Sequence, residues 1–323
     1  MNKKNSLALY TLLIVGLFSL FTSNILAQET PTAGKADLEN SVSQNYIDIS
    51  SLPRDERKRF FANLLAEEKA NLFKLHLALQ LVIRPNLTKD QKDLILESIS
   101  FVTPHTYDKN NLGKLENTRQ DGGLLGQKTR ELFSKQEFFE IFADIGGGKT
   151  EIKLLRNYLD ISALSVPKRM DALQKATAKD KSNLWRVHLA LHLAKMPGLN
   201  SRQMEIISET ITFATPELYK IPRDSSEWID KVSEPVQLLT IRALEVFAKN
   251  EVAEIFSKFG GKKPSSGDSI VPKGGFIPDG LCNCSRQWSD CPGITSCRGL
   301  CEVPPGGGQC GFLGMYTCDG ICR

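Results

Sequence analysis

Cysteine is missing from the first 281 residues of this 323-residue chain, and the tail from Cys282 to Cys322 holds all eight. No cysteine follows the N-terminal apolar run, which excludes a bacterial lipid anchor on a new N-terminal cysteine. The tail has no C-x-x-C pair either. Its intervening lengths are one, six, five, three, eight, seven and three, which argues against zinc held by four thiolates. A basic stripe is also lacking. From Phe276 onward three arginines face four acids, and nothing along the chain would track a phosphate backbone, so nucleic acid is not an expected partner. After the N-terminal run no apolar segment reaches the roughly 20 residues of a membrane span, so none is expected after signal cleavage.

What is present fits an exported globular protein. Hydrophobic residues make up 41% and charged residues 24%, enough for a sizeable core, and the length suits two or three units. Lys3 and Lys4, an apolar run from Leu7 to Phe21 and the small Ala27 follow the layout of a signal peptide over 1–27. An uncleaved anchor is the alternative. The expected location is secreted, periplasmic or cell-envelope. Thiols oxidise outside the cytosol, so Cys282, Cys284, Cys291, Cys297, Cys301, Cys310, Cys318 and Cys322 read as a disulfide framework. Eight cysteines allow on the order of 100 pairings. Bonding Cys282 to Cys284 would strain the single residue between them.

The middle of the chain repeats itself. Asn71–Tyr107 matches Asn183–Tyr219 at an offset of 112, with His76 on His188, Pro85 on Pro197 and Thr103-Pro104 on Thr215-Pro216. Farther out, EIFADIGG (140–147) matches EIFSKFGG (254–261) at an offset of 114. The copies are expected at 52–165 and 166–259, after a polar flexible segment at 28–51. Each reads as helical. Thr177 precedes Asp180 at a helix start, and Thr88 and Asn200 precede Gln91 and Gln203 at capping-box spacing. Pro85 and Pro197 end the apolar helices. The Thr-Pro pairs break the next ones. Gly146 and Gly260 are expected C-caps. The expected fold is an all-α duplicated helical domain with a pseudo-twofold and three or four helices per copy. A Gly/Lys/Pro/Ser-rich linker (260–280) and a small disulfide-rich tail (281–323) follow.

Few constellations carry chemistry. His188 and His192 share a helix face, but the glutamate of HExxH is missing and the first copy has Gln80 in place of His192. His76 and His188 recur on an apolar stripe and are expected to be buried structural histidines. No acid or nucleophile accompanies them at a recognisable spacing. GGGKT at 146–150 lacks the first glycine of a phosphate loop, Ala143 standing there. The sequons at Asn86 and Asn283 carry little weight. No catalytic residue, metal site or cofactor is expected. In the tail, Trp288, Phe312, Met315 and Tyr316 stand between the cysteines, and the aromatics Trp288, Phe312 and Tyr316 either build a mini-core or are displayed for partner contact.

The stretch Cys282–Cys297 resembles fulvocin C-type bacteriocins. The resemblance rests on C-x-C-S (Cys282, Cys284, Ser285), Asp290 before Cys291, Pro292 after it, and Thr295 two residues before Cys297. The helical copies, with LxxxHLAL, a proline and a helix ending in Thr-Pro, are similar to the N-terminal part of fulvocin C-related proteins. The resemblance implies a secreted, bacteriocin-like protein or precursor whose tail acts on a bacterial competitor, with the helices as pro-domain or carrier. The alternative is an uncut envelope protein that binds a partner through helices and tip. The partners implied are a protein or envelope target and a processing protease.

Overall fold

The computed structural model describes residues 35–107, 116–146, 148–222 and 225–260. In the tail it describes 283–284, 308–310, 313, 315–318 and 320–321. The helical architecture expected from the sequence is present. Two compact units divide between Ile152 and Lys153, with Ala194–Pro197 grouped with the first. Among the described residues, no helix is long and apolar enough to cross a membrane.

The first unit carries α1 (Lys35–Ser51), α2 (Arg54–Asn63), α3 (Ala66–Ile83) and α4 (Lys89–Phe101). A 3-10 turn (Pro104–Tyr107), α5 (Glu116–Leu132), α6 (Lys135–Phe138) and a π-turn (Phe139–Ala143) follow. Helix α3 is the centre. Leu72, Leu75, Leu77, Leu79 and Leu81 point all round it and are each at most 4% exposed. A helix apolar on every side must be enclosed, and α1, α4, the 3-10 turn and the π-turn all pack on it. Glu67 and Glu68 in its first turn favour the N-terminal end, and Pro85 stops it just after Ile83.

From Lys149 onward a second helical set forms: α7 (Lys149–Ser162), α8 (Val166–Lys175), α9 (Ala178–Lys195) and α10 (Ser201–Phe213). A 3-10 turn (Leu218–Lys220), α11 (Ser226–Trp228), a π-turn (Ile229–Ser233), α12 (Glu234–Val246) and α13 (Lys249–Phe256) complete it. Helix α9 is the enclosed one here, with Trp185, Val187, Leu189 and Ala190 each at most 1% exposed.

The expected caps form. Thr88 Oγ1 accepts from the Gln91 amide at 3.2 Å, and Gln91 Oε1 accepts from the Thr88 amide at 3.0 Å. Asn200 and Gln203 do the same at 2.9 Å in both directions. Thr177 Oγ1 accepts from the Asp180 amide at 3.1 Å. Each capping glutamine has a second use. Gln91 Nε2 donates to the Leu132 carbonyl at the end of α5, and Gln203 Nε2 to the Val246 carbonyl at the end of α12, both at 2.8 Å.

Four expectations are corrected. Much of the segment 28–51, read as polar and flexible, is helix α1. Val42, Tyr46 and Ile49 are spaced by four and three residues, so they share one face, and all are buried. Helix α1 lies wholly before residue 52, so the helical region begins earlier than expected. Each set exceeds three or four helices, because 35–63 and 149–175 each add two. Gly146 and Gly260 are not the helix caps, which are Asp144 and Ser257. The glycines lie just beyond with φ of 131° and 52°.

In the tail, β1 (Asn283–Cys284) pairs antiparallel with β4 (Gly320–Ile321), and β2 (Gly308–Cys310) with β3 (Tyr316–Cys318). Register places Cys284 opposite Gly320 and Cys310 opposite Tyr316. The described tail residues group with the second unit, whereas the sequence reading set them apart beyond a linker.

Candidate functional site

His76 and His188 are buried, at 1% and 3% exposure. His76 Nδ1 lies 2.8 Å from the Tyr46 hydroxyl, and His76 Nε2 lies 3.2 Å from the Glu140 carbonyl oxygen. A carbonyl only accepts, so Nε2 carries the hydrogen. Nδ1 of the neutral ring then accepts, and Tyr46 donates. Burial lowers the pKa of His76 to about 4, against smaller raising effects of the Glu140 carbonyl and Asp144. The ring is neutral at neutral pH with both nitrogens engaged. It has no open edge for a metal and no free nitrogen for a substrate proton.

The tyrosine contact to Nδ1 recurs 112 residues later. Tyr158 Oη lies 2.9 Å from His188 Nδ1. Trp185 meets the His188 ring edge-on at 5.4 Å between centroids, and Phe259 lies 5.6 Å away. His192 sits edge-on at 4.6 Å. Among the described residues, no group of three histidine, cysteine or acidic side chains could hold a metal ion.

A second recurrent feature escaped the sequence reading. Arg57 in α2 donates to the Leu52 carbonyl at 3.4 Å and to both carboxylate oxygens of Asp144 at 3.0 and 3.1 Å. Arg169 in α8 donates to the Leu164 carbonyl at 3.1 Å and to the carbonyls of Phe259 and Gly260. Each arginine thus ties the link before its helix to the segment that closes the helical set. Gly146 makes room for the Arg57 clasp, and Gly260 makes room for Ser162. A Cβ on Gly146 would sit 2.5 Å from Arg57 Cδ, and one on Gly260 would sit 2.6 Å from Ser162 Cβ. The signal was available in the alignment, since Arg57 and Arg169 are 112 apart, but their partners are not close in sequence.

GGGKT at 146–150 follows a π-turn and leads into α7 without a preceding strand, so the geometry of a phosphate loop is absent there. A groove of about 370 Å³ opens among α7, α8 and α9. Asp160, Lys175, Asp180 and Asn183 line it above Leu154 and Leu184. No histidine, cysteine or hydroxyl nucleophile lines it.

The tail provides the remaining feature. Leu313 and Met315 are buried, at 0% and 3% exposure. The Tyr219 hydroxyl donates to the Leu313 carbonyl at 3.3 Å, and β2 lies against α8. Of Leu313 and Met315, Met315 was among the tail residues noted from the sequence, with Trp288, Phe312 and Tyr316 as the expected contacts, and Leu313 was not. Trp288 and Phe312 lie outside the described residues. Tyr316 is in β3, but its side chain lies outside them too. So do the side chains of all eight cysteines, the signal segment 1–27 and the linker after Gly260.

Comparison with protein-family models, with characterised proteins and with solved structures finds no match.

Proposed function

We propose that this chain is an exported, bacteriocin-like protein or precursor. Its disulfide-rich tail acts on a bacterial competitor, and its helical sets act as carrier and mask. The observation that carries this reading is the confinement of all eight cysteines to the last 42 residues, behind a signal-peptide layout and a cysteine-free body. The resemblance of Cys282–Cys297 to fulvocin C-type peptides supports it. The tail is not cationic, so a protein or envelope receptor suits it better than direct attack on anionic lipid.

The helical sets are read as two copies of one unit related by a pseudo-twofold. The Tyr46–His76 and Tyr158–His188 pairs support this, as do the matching clamps of Gln91 and Gln203 and the clasps of Arg57 and Arg169. Their role is structural rather than catalytic. The protein is read as not an enzyme and as needing no cofactor.

A second reading has one observation in its favour. The Leu313–Tyr219 contact holds the tail on the second unit, as an uncut interaction protein would require. Growth inhibition separates the two. The chain cut in its linker and kept oxidised should inhibit neighbouring strains, and the reduced and alkylated form should not. Absence of inhibition by the cut, oxidised form would leave the interaction protein as the better account.

A further inference from the structure

We infer that the second helical unit is a docking partner for the tail, with Leu313 and Met315 as the docked residues and Tyr219 as their anchor, so that cutting the linker alone does not release the tail. This deepens the masking role proposed above and rests on that reading for its use, while the docking itself is independent of any killing activity.

Several observations converge on these residues. Leu313 and Met315 are as buried as the helical core. Two large apolar side chains withdrawn from water strengthen whatever contact holds them. The Leu313 carbonyl is met by the Tyr219 hydroxyl, from a residue 94 positions earlier on the 3-10 turn after α10. Strand β2 runs beside α8, a second and separate approach of the tail to the same unit. Leu313 also has φ of 55°. A branched side chain in the left-handed region is unfavourable, and such a conformation persists where surrounding contacts impose it. Position 107, the counterpart of Tyr219, is also tyrosine, but Tyr107 has Phe61 against it, ring edge to face at 6.0 Å.

The test uses the full oxidised chain with a recognition site for a sequence-specific protease inserted after Gly267. After complete cutting, gel filtration should show the tail co-eluting with the helical body. Leu313→Asp should abolish co-elution. Tyr219→Phe, which leaves the tail sequence untouched, should raise the tail's dissociation rate roughly 2- to 12-fold, with unchanged far-UV circular dichroism of the body. Prompt separation of the wild-type tail after cutting would overturn the docking, whatever the tail does to bacteria. So would dissociation rates identical in the wild type and both variants. If the Leu313→Asp tail separates but the freed wild-type tail, prepared by denaturing and refolding, inhibits no strain, the docking stands and the bacteriocin reading falls.

Discussion

Acid should loosen the first unit through His76. The ring is enclosed beside Tyr46 and Glu140, and burial lowers its pKa to about 4, against 6.5 for the free side chain. Below that free value the unfolded chain takes up a proton that the folded unit refuses, so stability is complete above about pH 6.5 and falls as pH drops toward about 4. A shift of this size corresponds to roughly 3 kcal/mol over the whole window, and to about 2 kcal/mol between about pH 7.5 and about pH 5. That is a large fraction of a typical domain's stability. The three tryptophans, Trp185, Trp228 and Trp288, all lie beyond the first unit, so fluorescence would report on the wrong region. The assay is a urea series read by hydrogen exchange and mass spectrometry on peptides from α3, at both pH values, for wild type and His76→Gln. Glutamine does not titrate, so the variant is less stable at neutral pH but loses most of the acid-dependent drop. An equal drop in both proteins would refute the assignment of a buried neutral histidine.

The other contacts give narrower tests. Tyr158→Phe removes the hydroxyl that meets His188 Nδ1 and should destabilise the second unit by about 1–3 kcal/mol in chemical denaturation followed by tryptophan fluorescence. Gln203→Ala removes both a capping-box bond and the bond to the Val246 carbonyl, and should destabilise by roughly 1–2 kcal/mol in the same assay; Glu205→Ala, two residues on and in a surface ion pair with Arg202, should stay within about 0.5 kcal/mol. Gly260→Ala places a Cβ against Ser162 at a positive φ and should lower the melting temperature by an amount equivalent to about 1–3 kcal/mol, whereas Gly123→Ala, with nothing near its Cβ, should not lower it.

Much of the helical body was legible because the repeated residues are the ones local physics needs. Prolines stop helices wherever they fall, and a capping threonine or asparagine with glutamine three residues later works through contacts within one turn. The histidines were legible as buried because each sits among leucines at helical spacing. What escaped depends on contacts across long sequence distances. Val42, Tyr46 and Ile49 are diluted by polar neighbours in KADLENSVSQNYIDISS, and their burial follows from α3 lying beside them. Arg57 looks like any surface charge until Asp144 arrives from 87 residues away. The same applies to the tail: nothing in GFLGMY points to Tyr219. Met315 stood out beside the aromatic residues, but its buried partner, the aliphatic Leu313, did not.

The measurement that bears most directly on the account is the intact mass of the exported product, with thiol labelling before and after reduction. The account predicts a species beginning at Gln28 or a tail-sized fragment, unlabelled as isolated and carrying eight labels after reduction. Free thiols that label without reduction, or a product retained in the cytosol with its first 27 residues intact, would contradict it.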